Sequence, residues 1–227
     1  MSTQTERAYR HFHEQLEELT QRLLDMTRHV EAAIDLAVDS LLERDAGQAD
    51  AVLAGDRALD ALEIEIERLA VSLLALQQPM ARDLRFVIGV IKISGDLERV
   101  GDHAVNIAEC ALRLTSEEER LIPQPEIADM ARDARRMLSD AIDAFVRSDG
   151  ALGRDVCKRD DQVDALHDSI FRILIQHMRA DPSIISAALQ LLLVTRNLER
   201  VADLATNIAE DAVYLAEGRT IKHGGSA

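Results

Sequence analysis

The sequence predicts an all-α protein built as two tandem three-helix bundles, six long antiparallel helices related by internal pseudo-symmetry. Three observations carry that expectation. Hydrophobic residues make up 47% of the 227 positions, yet aromatics are only 3% and Trp is absent. A core drawn from Leu, Ala, Ile and Val with charged residues between them suits helices better than the aromatic and β-branched strands of sheet proteins. All four prolines, Pro79, Pro123, Pro125 and Pro182, interrupt stretches of helical periodicity. The chain also repeats itself at offsets of 101 to 104 residues.

Taken in order, the periodicity places a first helix at about 5–44 and a second at about 48–77, which Pro79 ends. The third, at about 81–115, turns Ile93, Leu97, Val100, Ala104 and Ile107 onto one arc, its core side. Pro123 and Pro125 precede the fourth, at about 126–148. Ser148-Asp149-Gly150 is a compact turn before the fifth, at about 152–179. Asp181-Pro182-Ser183 starts the sixth, at about 183–216, with Pro in the first turn. The segment Leu97 to Glu109 aligns without a gap on Leu198 to Glu210, and ten of the thirteen positions are identical. Pro79 repeats as Pro182, and Asp56-x-x-x-Asp60-Ala61-Leu62 as Asp160-x-x-x-Asp164-Ala165-Leu166. These markers define two units, residues 1–118 and 119–227, joined around Thr115 to Pro125.

Charge narrows the function. With 41 acidic against 26 basic residues the net charge is −15. Such a surface cannot supply the cations that neutralise phosphates, which argues against nucleic-acid binding and leaves metal cations and basic protein surfaces as candidates. Charges interrupt Met1 to Gln21, so no secretory signal is expected, and no apolar run reaches the ~18 residues that would span a membrane. Cys110 and Cys157 have no C-x-x-C spacing, in keeping with a reduced, cytoplasmic setting. Nucleotide-binding glycine loops, nucleophile elbows and zinc-type Cys/His arrays are all missing from the sequence.

The chemistry lies in an acidic pattern. On a wheel of ~100° per residue, Asp102, Asn106 and Glu109 fall at about 40°, 80° and 20° from Glu98, away from the core arc. Glu199, Asp203, Asn207 and Glu210 repeat the stripe. Asp56, Asp60, Glu63 and Glu67 make another, answered by Asp160, Asp164 and His167. A single acidic stripe is ordinarily a solvated helix face. Here the like-charged pairs at i and i+4, each destabilising by ~0.2–0.5 kcal/mol, recur in both halves. Arg99 and Arg200 can relieve some of that by reaching their i+3 aspartates, and a hard cation shared between helices would relieve more. His167 stands where the first half has Glu63, three residues after Asp164, a spacing from which both can ligate one ion. His103 lies off the stripe and reads as a surface or packing histidine.

The Leu97 to Glu109 segment resembles the signature of the PhoU family. The likeness extends through Pro79-Met80-Ala81-Arg82-Asp83-Leu84-Arg85, the second repeat at Asn197 to Glu210 and the tail Glu217 to Gly224, so it covers nearly the whole chain. It implies a cytoplasmic accessory protein of the phosphate-specific transport system, peripheral to the inner membrane face through protein partners. Such proteins are negative regulators linking the phosphate ABC transporter to a membrane sensor histidine kinase. They restrain uptake and keep the phosphate-starvation response off when phosphate is plentiful. The resemblance also implies multinuclear metal clusters held by paired E/D-x-x-x-D motifs. In this chain these are Asp56 with Asp60, Glu98 with Asp102, Asp160 with Asp164 and Glu199 with Asp203, with Asn106 and Asn207 as further contacts. The expected cofactors are divalent or trivalent ions such as iron, manganese, magnesium or zinc, and the expected assembly is a homodimer. The halves differ at Glu63/His167 and His103/Leu204, so their sites need not be equivalent.

A non-enzymatic regulator is therefore expected. Two other classes use the same residues. A ferritin-like di-metal carboxylate enzyme would use Glu-x-x-His on two helices, whereas only Asp164-x-x-His167 occurs here, in one half. A purely structural adaptor would leave its stripes without ligand.

Overall fold

The computed structural model describes residues 2–115 and 124–221. The expected class is what it shows: six α-helices and no strand among the described residues. α1 spans Ser2–Glu43, α2 Ala46–Gln77, α3 Ala81–Thr115, α4 Gln124–Arg147, α5 Gly150–Ala180 and α6 Ile185–Glu217. The 42 residues of α1 make it about 60 Å long. Its buried side chains Leu19, Leu23, Met26, Val30, Ile34, Ala37, Val38 and Leu41 recur at intervals of three and four, the spacing that keeps one helix face on a core.

The helix ends are set by local chemistry that the repeat duplicates. Asp45 caps α2, its carboxylate accepting from the backbone N–H groups of Gly47 and Gln48 at 2.8 and 3.4 Å. Asp149 caps α5 in the same way, accepting from Ala151 and Leu152 at 3.0 Å each. Each cap satisfies donors that a helix start would otherwise leave open. The preceding residues, Arg44 and Ser148, take left-handed φ values of 58° and 53°, reversing the chain between helices. Because Asp149 caps, α5 begins at Gly150, two residues before the expected start. Pro182 does not lie in the first turn of α6. It opens a separate 3-10 turn, Pro182–Ile184, capped by the Asp181 carboxylate on the Ser183 N–H at 2.9 Å, and α6 follows from Ile185. The division between residues 118 and 119, with Pro123 and most of the joining segment, lies outside the described residues, as do Lys222 to Gly224 of the tail.

Helices α1, α2 and α3 pack together, as do α4, α5 and α6, and α3 packs on α6 between the two groups. Across that seam Lys92 pairs with Asp211 at 3.5 Å, His103 Nδ1 lies 2.9 Å from Asn197 Oδ1, and Arg113 reaches Gln190 at 3.5 Å. Partner numbers fall as α3 numbers rise, so the two helices run antiparallel. Their middle lies near Gly101 and Ala202, which are equivalent positions of the repeat. Phe145 of α4 enters the same seam, stacked on Phe86 at 5.2 Å and lying over Gly89, where a Cβ would come within 2.5 Å of its ring. Buried residues of all six helices form one continuous apolar core. No described helix is long and apolar enough to cross a membrane.

Candidate metal centres

Close packing of α2 on α3 builds the first acidic cluster. Leu59 lies against Gly101, where a Cβ would come within 2.7 Å of its Cδ1, and Glu63 Oε1 lies beside Gly95. In this antiparallel register Asp56 faces Asp102, while Asp60 and Glu63 lie opposite Glu98. Asp56, Glu63 and Glu98 are half-buried, whereas Asp60 and Asp102 are exposed. Burial raises the pKa of Asp56, and the charges of Asp60 and Asp102 add to it. Glu98 is raised by burial and then by Asp102, Glu63, Asp60 and Asp56, so four carboxylates from two helices act on a fifth. Glu63 is raised by burial, Glu67 and Asp60. Asn106 is exposed one turn beyond Asp102.

The second cluster, between α5 and α6, is tighter. Gly153 brings the helices so close that a Cβ there would meet the Ala209 carbonyl oxygen at 2.8 Å. Farther along this pair, Asp160 faces Asp203. Burial, then Asp164 and Asp203, push its carboxyl up to about 6. Thr206 lies close enough to offset a little of that rise. Even so, Asp160 Oδ1 and Thr206 Oγ1 are both buried without a partner of regular hydrogen-bond geometry. His167 Nε2 is 4.0 Å from Glu199 Oε2, and its Nδ1 is buried without a partner. Asn207 is exposed.

Relief by arginine differs between halves. Arg200 reaches Asp203 at 2.9 Å, as its spacing predicts. Arg99 instead turns back to Asp96. Asp96 is only 6% exposed, and a carboxylate so buried needs a counter-charge more than solvent-facing Asp102 does. His103 sits in the α3–α6 seam on Asn197 and away from both clusters. Sequence reasoning missed Thr206, one turn beyond Asp203 and aligned with Val105. Its i+3 spacing from Asp203 is the signal that marks it.

The donor set, carboxylates with a hydroxyl and amide oxygens, fits a hard cation. Buried Asp160 Oδ1 fits one too, since it has no partner of regular hydrogen-bond geometry. As the side chains stand, no three His, Cys, Asp or Glu residues among those described converge on one point. Coordination therefore requires the exposed members of each cluster to turn inward.

Known proteins share this architecture. The PhoU domain model matches residues 23–111 and again 127–212. The Aquifex aeolicus protein named phosphate-specific transport system accessory protein PhoU homolog is 40% identical over 209 residues, 92% of this chain and 94% of that one. A Caulobacter vibrioides homologue of the same name is 41% identical, with 91% and 90% covered. The crystal structure of PhoU from Pseudomonas aeruginosa superposes with a TM-score of 0.88 at 36% identity, covering 92% of this chain and all of that one. The phosphate transport system regulatory protein PhoU from Streptococcus pneumoniae gives 0.86 at 31% identity, with 93% and 99% covered. With the duplicated domain spanning most of its length, this chain belongs to the PhoU family.

Proposed function

We propose that the chain is a metal-binding, non-enzymatic regulator of phosphate homeostasis. It works in the cytoplasm, coupling a phosphate ABC transporter to a sensor histidine kinase, restraining uptake and repressing the phosphate-starvation response. Relatives named as accessory proteins of phosphate-specific transport support the setting. The observation that carries the metal part is the apposition, made twice, of two acidic pairs on neighbouring helices. Asp56 and Asp60 face Glu98 and Asp102 in one half, and Asp160 and Asp164 face Glu199 and Asp203 in the other.

These eight side chains would hold the ions, with Asn106, Asn207, Glu63 and His167 at the margins. A bound cation would cancel charge that the helices otherwise oppose to one another. It would also lower the repulsion within a chain of net charge −15, so that a homodimer can dock on basic cytoplasmic surfaces of its partners. The test is starvation-reporter output and phosphate uptake in phosphate-replete cells lacking the protein, complemented by wild type or by Asp102→Ala/Asp203→Ala. Derepression without the protein, reversed by wild type and not by the variant, is the expected result. If deletion changes neither quantity, the phosphate role fails. Sustained oxygen consumption by the iron-loaded protein would favour a di-metal enzyme instead.

A further inference from the structure

Both acidic clusters contain the segment Glu-Arg-x-x-Asp, yet the arginine inside it is engaged differently in each. Arg200 lies on its own cluster and holds the Asp203 carboxylate at 2.9 Å. Arg99 points the other way along α3, to Asp96, and leaves Asp102 to the solvent. One position of the repeat is the cause. Three residues before Arg99 stands Asp96, only 6% exposed, whereas three residues before Arg200 stands Asn197. Asn197 offers an arginine nothing. Its amide nitrogen donates to the Leu193 carbonyl at 2.8 Å, and its side-chain oxygen lies 2.9 Å from His103 Nδ1 across the seam. A guanidinium with no carboxylate behind it turns to the one ahead.

The facing helices widen the difference. At the offset of 104 residues, α2 presents Glu63 and Glu67 where α5 presents His167 and Phe171. The first cluster therefore gathers Asp56, Asp60, Glu63, Glu98 and Asp102, with Glu67 close enough to act on Glu63. The second sets Asp160, Asp164, Glu199 and Asp203 against one guanidinium. Affinity for a hard divalent cation rises with the number of charged ligands that can turn toward it, so the two sites are unequal by construction.

We propose, on the metal reading of these clusters, that Arg200 is an internal counter-ion of the second one. It holds Asp203 in the metal-free chain and swings away before that carboxylate can ligate, so the clusters fill in order, the first before the second. The side chains of Arg200 and Asp203 are 51% and 38% exposed. A pair so open to solvent is worth a factor of about five at most, little enough for a divalent ion to displace and enough to shift the concentration at which the site fills. Released into water, Arg200 leaves no buried charge behind. Arg99 cannot take the same part, since its release would remove a counter-charge from buried Asp96.

The experiment is calorimetric titration of the metal-stripped full-length protein with Mn²⁺ at neutral pH and physiological salt. Glu98→Ala/Asp102→Ala leaves the second cluster to be read alone, and Glu199→Ala/Asp203→Ala leaves the first. We expect the first to bind about tenfold more tightly or better. Added to the background that keeps the second cluster, Arg200→Gln should tighten its binding about two- to fivefold. Asn197→Asp gives Arg200 the rear carboxylate that Arg99 has, and should tighten binding while every arginine stays in place. Arg196→Gln is the control: it removes an equal charge from the exposed face of α6, one turn before Arg200, and should leave the affinity unchanged. The proposal is overturned if Arg200→Gln behaves like Arg196→Gln, or if the second cluster binds as tightly as the first. Absence of Mn²⁺ binding from both single-cluster backgrounds removes the metal reading and this proposal together, whereas binding indifferent to Arg200 removes this proposal alone.

Discussion

Asp160 is the residue on which the cost of the clusters concentrates, because burial, Asp164 on its own helix and the facing Asp203 hold its pKa near 6 while its Oδ1 has no partner of regular hydrogen-bond geometry. A carboxyl whose folded pKa is raised contributes fully below its unfolded value, near 3.8, and loses that contribution as pH rises through about 6. At pH 7 the metal-free chain therefore carries a penalty that Asp160→Asn removes. We expect this variant to be more stable than wild type by roughly 0.5–1 kcal/mol without metal, on the scale of like-charge pairs. It should also lose part of the stabilisation that Mn²⁺ gives. The first difference vanishes only well below 3.8, near pH 2, where both states are protonated. Thermal unfolding with and without Mn²⁺ at the two pH values checks all three statements, and an Asn variant less stable than wild type at pH 7 would refute the electrostatic account. Residue identity made the acidic pairs legible, because spacing alone puts them on one stripe. Arg99 was not legible, since it has an aspartate both three residues before and three after, and only burial of Asp96 decides between them. Nor was Thr206, whose part depends on where α5 places Asp160.

At the scale of helices, the second cluster depends on how closely α5 approaches α6. Gly153→Ala gains up to about 1 kcal/mol of helix propensity. Its methyl group, however, meets the Ala209 carbonyl at 2.8 Å and Val213 Cγ2 at 3.0 Å, and a helix backbone cannot rotate out of the way. Overpacking of this kind costs ~1–3 kcal/mol, so the net change is a loss. The variant should bind fewer metal ions per chain while keeping the first cluster, which mass spectrometry under native conditions can count. A stable variant with full metal content would show that the Gly153 contact does not set the site. Asp149→Ala tests the other end of the same logic. It removes the cap of α5 and should cost about 1 kcal/mol in denaturant unfolding, with m unchanged. Helix number and type were readable from prolines and apolar spacing. The ends were displaced where a side chain competes for the backbone: Asp149 draws α5 back to Gly150, and Asp181 holds Pro182 in its own 3-10 turn.

For the whole molecule, the repeat foretold two related bundles but not that α3 and α6 would pack on each other around the middle of the motif. The face they share reads as polar, with Lys92, His103 and Asn197, and its pairs meet only across the two halves. His103 aligns with Leu204 and reads from the sequence as a surface or packing histidine, and in the fold it fastens one bundle to the other. A single core spanning both bundles makes one cooperative transition the natural expectation. Any stabilisation gained at either acidic cluster is then felt by the entire chain. Metal and salt must nevertheless be separated, because at net charge −15 added ions of any kind reduce self-repulsion. At ~100 times its dissociation constant, a specifically bound ion adds about 2.7 kcal/mol, which for a chain of this length shifts Tm by roughly 5–10 °C. Sodium chloride at matched ionic strength acts by screening alone. We therefore expect Mn²⁺ or Mg²⁺ to raise Tm beyond the sodium chloride increment in wild type. In Asp102→Ala/Asp203→Ala the excess should disappear while the salt increment remains. An excess that persists in the double variant would move the ions elsewhere on the acidic surface, and equal responses to metal and salt in wild type would leave the clusters as charged helix faces without a ligand.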